Sequence, residues 1–149
     1  MAIRLASVDR HNFHAVLQLK VTPAQRDFVA SNGYSIAQAY VQPECVPLAV
    51  YEEDTLVGFI MYALDETDQE YWVYRLMIDA AFQRRGYGRS ALSLVIERIA
   101  KLGRKVLYIS FEPENRGAEL LYKSLGFVPD GRMDGSEVIY RLNLQQKAD

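Results

Sequence analysis

The stretch Gln83 to Ser90, QRRGYGRS, sets two glycines one residue apart among arginines, just ahead of an apolar run. Its reading decides the fold. Downstream, Leu92, Val95, Ile96, Ile99 and Leu102 recur at the spacing of one helix face, and Gly103 supplies a stop. Upstream, YWVYRLMI (Tyr71 to Ile78) is rich in β-branched and aromatic residues and predicts a strand. The glycines therefore fall where a strand and its loop turn into a helix over Gly88 to Leu102. Backbone N–H groups in the first turn of a helix lack helical partners, and the helix dipole adds positive potential. Glycine lets the main chain approach an anion with no Cβ in the way. Arg84, Arg85 and Arg89 add charge, and Ser90 adds a hydroxyl. This chemistry suits a pyrophosphate; a basic surface turn is the plainer alternative.

Two better-known phosphate loops fit less well. Gly86, Gly88 and Ala91 satisfy G-x-G-x-x-A, and Glu112 follows the next strand, as in a dinucleotide fold. There, however, the glycines follow the strand at once, whereas Asp79 to Arg85 intervene here. The 149 residues also leave no room for a second nucleotide-binding half. A P-loop fails because no Gly-Lys-Ser/Thr follows.

Around this centre the chain reads as one domain, 1–149, without repeats or linkers. MAIRLASV predicts a strand, and Asp9 or Asn12 caps a helix to about Lys20. Thr22-Pro23 opens a second helix, closed by Asn32-Gly33, and Ser35 to Val41 a short third piece. PLAVYEE and LVGFIMYAL form a hairpin about Asp54-Thr55, and an acidic loop, Asp65 to Glu70, leads to the strand Tyr71 to Ile78. KVLYISF is a further strand. Asn115 to Leu125 is a helix with Ala118, Leu121, Tyr122 and Leu125 on one side. FVPDGRM and EVIYRLNL close the chain as a hairpin about Asp134-Gly135. The order predicts an α/β protein with a mixed sheet, containing a βαβ unit around the glycine loop.

Half of the residues are hydrophobic and the net charge is -2, so a sizeable core is expected and a nucleic-acid face is not. The single cysteine, Cys45, allows no internal disulfide and lacks an evident base to make it a nucleophile. No apolar run approaches the ~20 residues of a membrane span, and the N-terminus lacks a signal-peptide pattern. A soluble cytoplasmic protein is the expectation. His11 and His14 have no partner set, so no metal site is expected.

The glycine loop does not stand alone. Gln83, Gly86 and Gly88 follow the strand RLMID, and PENRGAELLYKSLGF follows the next one. Together these resemble the GNAT (Gcn5-related) N-acetyltransferases, whose loop pattern is Gln/Arg-x-x-Gly-x-Gly/Ala. The family's second signature is matched in order and spacing by Asn115, Ala118, Leu121-Tyr122 and Gly126-Phe127. The resemblance spans the chain. It implies the GNAT acyl-CoA N-acyltransferase fold, a central twisted mixed sheet flanked by helices.

By this resemblance, acetyl-CoA is the co-substrate. Its pyrophosphate is expected on the amides of about Arg84 to Arg89, through Arg85, Gly86, Tyr87 and Gly88, with Ser90 nearby. The pantetheine arm is expected beside Leu76, Met77 and Ile78, with Asn115 bonded to it. Tyr122 takes the family's place of general acid to the departing thiolate. The base is less defined. Ribosomal-protein N-terminal acetyltransferases carry a glutamate where Ser110 stands, and animal-type spermidine/spermine acetyltransferases carry one where Tyr74 stands. Glu112, two residues beyond Ser110, is one candidate base; a water relay is the other.

WVYRLMID, LYISFEPEN, DGSEVIYRLNL and TPAQRDFVASNGYS look like bacterial diamine and spermidine/spermine acetyltransferases. The resemblance implies a small-molecule amine acceptor walled by Gln25, Phe28, Asn32, Tyr34 and the loop with Asp65, Glu66, Asp68 and Glu70. Carboxylates beside aromatic rings suit a flexible polycation. Acetylation of a protein N-terminus or lysine, or of an aminoglycoside, is the alternative. Dimers are common in the family, and the closing hairpin or a sheet edge could supply a homodimer contact.

Overall fold

Seven strands join in one mixed sheet, in the order β1-β2-β3-β4-β5-β7-β6. They are β1 (Ile3–Ser7), β2 (Cys45–Glu52), β3 (Thr55–Leu64), β4 (Tyr71–Ile78), β5 (Val106–Phe111), β6 (Val128–Asp134) and β7 (Glu137–Asn143). The computed structural model describes residues 2–144, so the predicted strand start at Met1 lies outside the described residues. Only β4 and β5 run parallel; every other pair is antiparallel. Helix α3 (Tyr87–Lys101) joins that parallel pair, and α4 (Arg116–Ser124) leads from β5 to the closing hairpin. Helices α1 (Phe13–Gln18) and α2 (Asn32–Val41) come between β1 and β2. The chain forms the expected α/β architecture.

Period-two alternation along the central strands sorts apolar side chains onto two faces. Val50, Ile60 and Leu107 pack with Leu92, Val95 and Ile99 of α3 and with Tyr122 of α4. Ala49, Phe59 and Met61 pack on the other face with Val16 of α1 and Ile36 of α2. β3 is buried on both faces, which explains why LVGFIMYAL reads as a continuous apolar run. Burying side chains such as Phe59 and Ile60 stabilises the fold by about 1.5–3 kcal/mol each.

Several local expectations are corrected. Asn32-Gly33 opens a helix instead of closing one: Ser31 Oγ accepts the Tyr34 N–H at 3.1 Å and caps α2. Pro23–Phe28 is a 3-10 segment, not an α-helix. Leu102 is 59% exposed, because α3 has ended at Lys101. β2 begins at Cys45, before Pro47. The proline is tolerated because β1 pairs only with Leu48 to Glu52, so no β1 ladder bond needs its missing N–H. The hairpin turns fall at Glu53-Asp54 and Gly135-Ser136, each with a left-handed first residue (φ 52° and 57°).

One irregularity shapes the site. The parallel ladder between β4 and β5 lasts three residue pairs, Tyr71↔Leu107 to Val73↔Ile109. Just beyond it β4 is bulged: Met61 pairs with Arg75 and Tyr62 with Val73, leaving Tyr74 unpaired. A bulge bends its strand and increases the local twist. From Tyr74 onward β4 has no ladder with β5, and the sheet opens as a wedge.

Candidate active site

The wedge is the mouth of a cleft of about 1000 Å³. Its walls are the free edge of β4 (Tyr74 to Ile78), the first turn of α3, the inner face of α4, the end of β5 and the start of β7.

The glycine loop is held by side chains before it can hold anything else. Asp79 Oδ2 accepts the Ala81 N–H at 3.1 Å, and its Oδ1 accepts the Lys20 N–H at 2.8 Å. The Gln83 amide pairs reciprocally with that of Gln25 (2.7 and 3.2 Å) and donates to the Ile78 carbonyl at 2.9 Å. Gln83 thus ties the loop to the end of β4 and to the segment after α1. Left-handed backbone at Arg84 (φ 65°) and Gly86 (φ 83°) then curls the chain into the N-terminus of α3. Such a turn gathers N–H groups into an anion-binding concavity. Arg84, Gly86, Tyr87, Gly88 and Arg89 line the cleft, and Arg89 also donates to Ser124 Oγ of α4 at 2.5 Å.

On α4, Asn115 Oδ1 accepts the Ala118 N–H at 3.2 Å and caps the helix; its Nδ2 has no partner among the described residues. Tyr122 is 7% exposed, between Phe111 (ring centroids 5.3 Å apart) and Phe127 (5.9 Å). Burial, and then the charge of Glu137, push its phenol well above the usual tyrosine value. It stays protonated through neutral pH.

The opposite wall carries a tight polar pair. Tyr74, the bulged residue, donates its hydroxyl to Asp65 Oδ2 at 2.6 Å. That bond, ahead of opposing desolvation, holds the Asp65 carboxyl below its ordinary value. Burial and then the same bond push the Tyr74 phenol up. Beside them Arg75 donates to Gln38 Oε1 at 3.0 Å and to the Tyr74 carbonyl at 2.9 Å.

The sequence model of the acetyltransferase (GNAT) family matches residues 12–127. The chain belongs to the GNAT acetyltransferase family. The spermine/spermidine N(1)-acetyltransferase of Bacillus subtilis (strain 168) is 31% identical over 141 residues, covering 90% of this chain and 93% of that protein. A ribosomal protein bS18-alanine N-acetyltransferase of Haemophilus ducreyi is 27% identical over 101 residues, covering 59% of this chain and 67% of that protein. Among solved structures, the PaiA N-acetyltransferase of Thermoplasma acidophilum in complex with coenzyme A superposes with a TM-score of 0.73. It is 16% identical and covers 96% of this chain and 99% of that one. The protein is therefore an N-acetyltransferase with the GNAT fold.

The expected site residues of this GNAT enzyme are unevenly placed. Leu76, Met77, Ile78 and Asn115 line the cleft with the loop residues above. Arg85 and Ser90 do not: Arg85 donates to the Ala81 carbonyl, and the Ser90 N–H donates to the Gly86 carbonyl at 3.1 Å within the helix. Glu112, the side-chain candidate for the base beside a water relay, stands outside the lining and accepts the Ser136 hydroxyl at 2.7 Å. Alternation from Ser110 does not reach it, because β5 ends at Phe111.

The carboxylate beside Ser110 is Glu137, which accepts its hydroxyl at 2.8 Å. It went unsingled in the sequence because only the β5–β7 pairing, Ser110↔Ile139, brings it there. In the acidic loop Asp65 alone faces the cleft. Asp68 accepts the Trp72 indole N–H at 2.9 Å, Glu70 pairs with Arg104 at 3.7 Å, and Glu66 is exposed. Gln25 and Phe28 line the cleft, whereas Asn32 is buried and donates to the Val16 carbonyl at 2.9 Å, and Tyr34 is 62% exposed. Among the described residues no His, Cys, Asp and Glu group could hold a metal ion, and no helix is long and apolar enough to cross a membrane.

Proposed function

We propose that this enzyme moves the acetyl group of acetyl-CoA to a primary amine of a polyamine by direct attack, with Tyr122 as general acid. One observation carries the reading: a single cleft joins the glycine loop, the unpaired edge of β4, Tyr122 and Asp65. The residues present fit acetyl-CoA. The first-turn amides of α3 with Arg84 and Arg89 suit a pyrophosphate. The free edge of β4 offers main-chain partners to the amides of the pantetheine arm, as a sheet edge does to an added strand, and Asn115 Nδ2 is a further donor. When bound, acetyl-CoA supplies the thioester.

The chain's own residues then have separate tasks. Tyr122 keeps its proton in a dry aromatic wall and gives it to the sulfur that leaves. Asp65 stays ionised and holds a distal ammonium of the acceptor, with Tyr74 fixing its direction. The near full-length likeness to a spermine/spermidine acetyltransferase supports a polyamine over a protein N-terminus, for which the relative matches a smaller share of the chain. A cytoplasmic setting fits the one unpaired, buried Cys45.

CoA-thiol release from acetyl-CoA, measured with spermidine, spermine, putrescine, a basic peptide and an aminoglycoside, tests the acceptor. Saturable release with the polyamines is expected. Release with the peptide alone would move the enzyme to the protein-acetylating branch.

A further inference from the structure

A primary alkylamine is protonated at neutral pH, because its pKa lies near 10. One proton must leave before the nitrogen can attack, and Tyr122, which holds a proton, cannot take it. Four carboxylates line the cleft: Asp27, Asp65, Asp134 and Glu137. Asp65 already accepts the Tyr74 hydroxyl and is held below its ordinary pKa, so it is a poor proton acceptor. Asp27 and Asp134 are exposed to solvent, whereas Glu137 is half-buried.

Glu137 also has the right neighbours. It opens β7, and Ser110 of β5 fixes its Oε1 at 2.8 Å, leaving Oε2 without a partner among the described residues. Tyr122 of α4 lines the same cleft, and after burial the Glu137 charge helps to hold its phenol up. Asp134, the last residue of β6 before the Gly135-Ser136 turn, pairs across the hairpin with Glu137. Glu112, past the end of β5, is taken by Ser136. The hairpin arginines Arg132 and Arg141 both go to Asp130, and no cation pairs with Glu137 among the described residues.

We infer that Glu137 is the base that deprotonates the acceptor amine, and that Ser110 is its positioning residue. The inference rests on the acetyl-transfer reading above. Glu137 takes one proton from the ammonium and frees the lone pair that forms the N–C bond as the C–S bond breaks. The sulfur keeps the bonding pair and receives the Tyr122 proton. The second proton shed by the nitrogen restores the phenol, and Glu137 returns its own to water. One proton is thus released per acetyl group transferred.

The test is the pH profile of kcat/KM for the wild type, Glu137→Gln and Ser110→Ala, followed by CoA release with the best amine of the panel. At pH 7 Glu137→Gln should lose on the order of a hundredfold, within the range of a general base. That deficit should shrink as the pH approaches the amine's own pKa and solvent supplies neutral amine. Acetyl-CoA affinity should stay within a few fold, and Ser110→Ala should lose several-fold with the same pH trend. Glu137→Asp guards against misfolding of the first variant and should keep the wild-type profile shape at a lower plateau. A Glu137→Gln deficit equal at every pH, or none at all, overturns the inference. Failure of the polyamine reading looks different: the wild type would release no CoA with polyamines, and the same comparison run with the amine that does work would still decide Glu137.

Discussion

The two ends of the cleft are built from different material. At the α3 end the proposed working groups are main-chain N–H donors, presented by contiguous residues from Gln83 to Arg89 and held by Gln83 and Asp79. At the other end they are side chains from five separate segments: Asp65 after β3, Tyr74 on the β4 bulge, Ser110 on β5, Tyr122 on α4 and Glu137 on β7. A site made of backbone depends on φ and ψ and on the absence of Cβ atoms. A site made of side chains depends on strand pairing and on which proton each group holds. The first should therefore break through backbone strain and lose affinity, and the second through chemistry and lose rate.

The largest effect belongs to the side-chain end. Tyr122→Phe removes the proposed acid and keeps the aromatic wall against Phe111 and Phe127. Turnover should fall by roughly 10²–10⁴-fold, the range for general acid–base catalysis, while acetyl-CoA affinity measured by calorimetry stays within a few fold. An unchanged kcat would take Tyr122 out of this role.

The main-chain end should answer in the opposite way. Gly86 sits at φ 83°, and valine there adds about 1–3 kcal/mol of strain as well as a side chain over the donors. The Kd for acetyl-CoA should rise on the order of tenfold to a hundredfold. Gly131 in β6 is a control, at φ 92° with nothing within 4 Å of a built Cβ and outside the cleft. Gly131→Val should carry similar strain and lower thermal stability without weakening acetyl-CoA. Equal losses of affinity in both variants would mean that strain alone, and not blocked approach to a phosphate, explains the glycine.

The same contrast decides what could be read in advance. The loop and the two helices that follow it are local, so spacing and turn chemistry brought them out of the sequence along with the order of elements along the chain, while the Asn115-to-Phe127 signature came from the resemblance to the family. The period-3.6 pattern likewise revealed the stripe on α3. Glu137 and the Tyr74–Asp65 pair were not legible. Their meaning arises from strand register: the one-residue bulge at Tyr74, and the β5–β7 pairing that sets Glu137 against Ser110. Glu112 was favoured by an alternation rule that lapses where a strand stops. Asn32-Gly33 was misread because a residue pair that often ends helices here follows a serine whose hydroxyl begins one.

The smallest expected effect tests the acceptor side of the comparison without touching the reacting atoms. Asp65→Asn keeps the shape and a partner for the Tyr74 hydroxyl but removes the charge that would hold a distal ammonium. KM for spermidine should rise about tenfold, in the range of one charge-assisted contact, with kcat little changed. For a monoamine, which has no second ammonium, the substitution should be nearly silent. The pH dependence sharpens this further. Because the folded protein holds the Asp65 carboxyl below its ordinary value, the stability it contributes is in place above the ordinary carboxyl range and is lost as the pH falls through the lower folded value. Between pH 6 and 9 Asp65 should therefore add no inflection to the spermidine profile. An equal KM change for spermidine and the monoamine would place Asp65 in the wall of the cleft but not in acceptor recognition, and the main-chain end alone would then carry the binding energy.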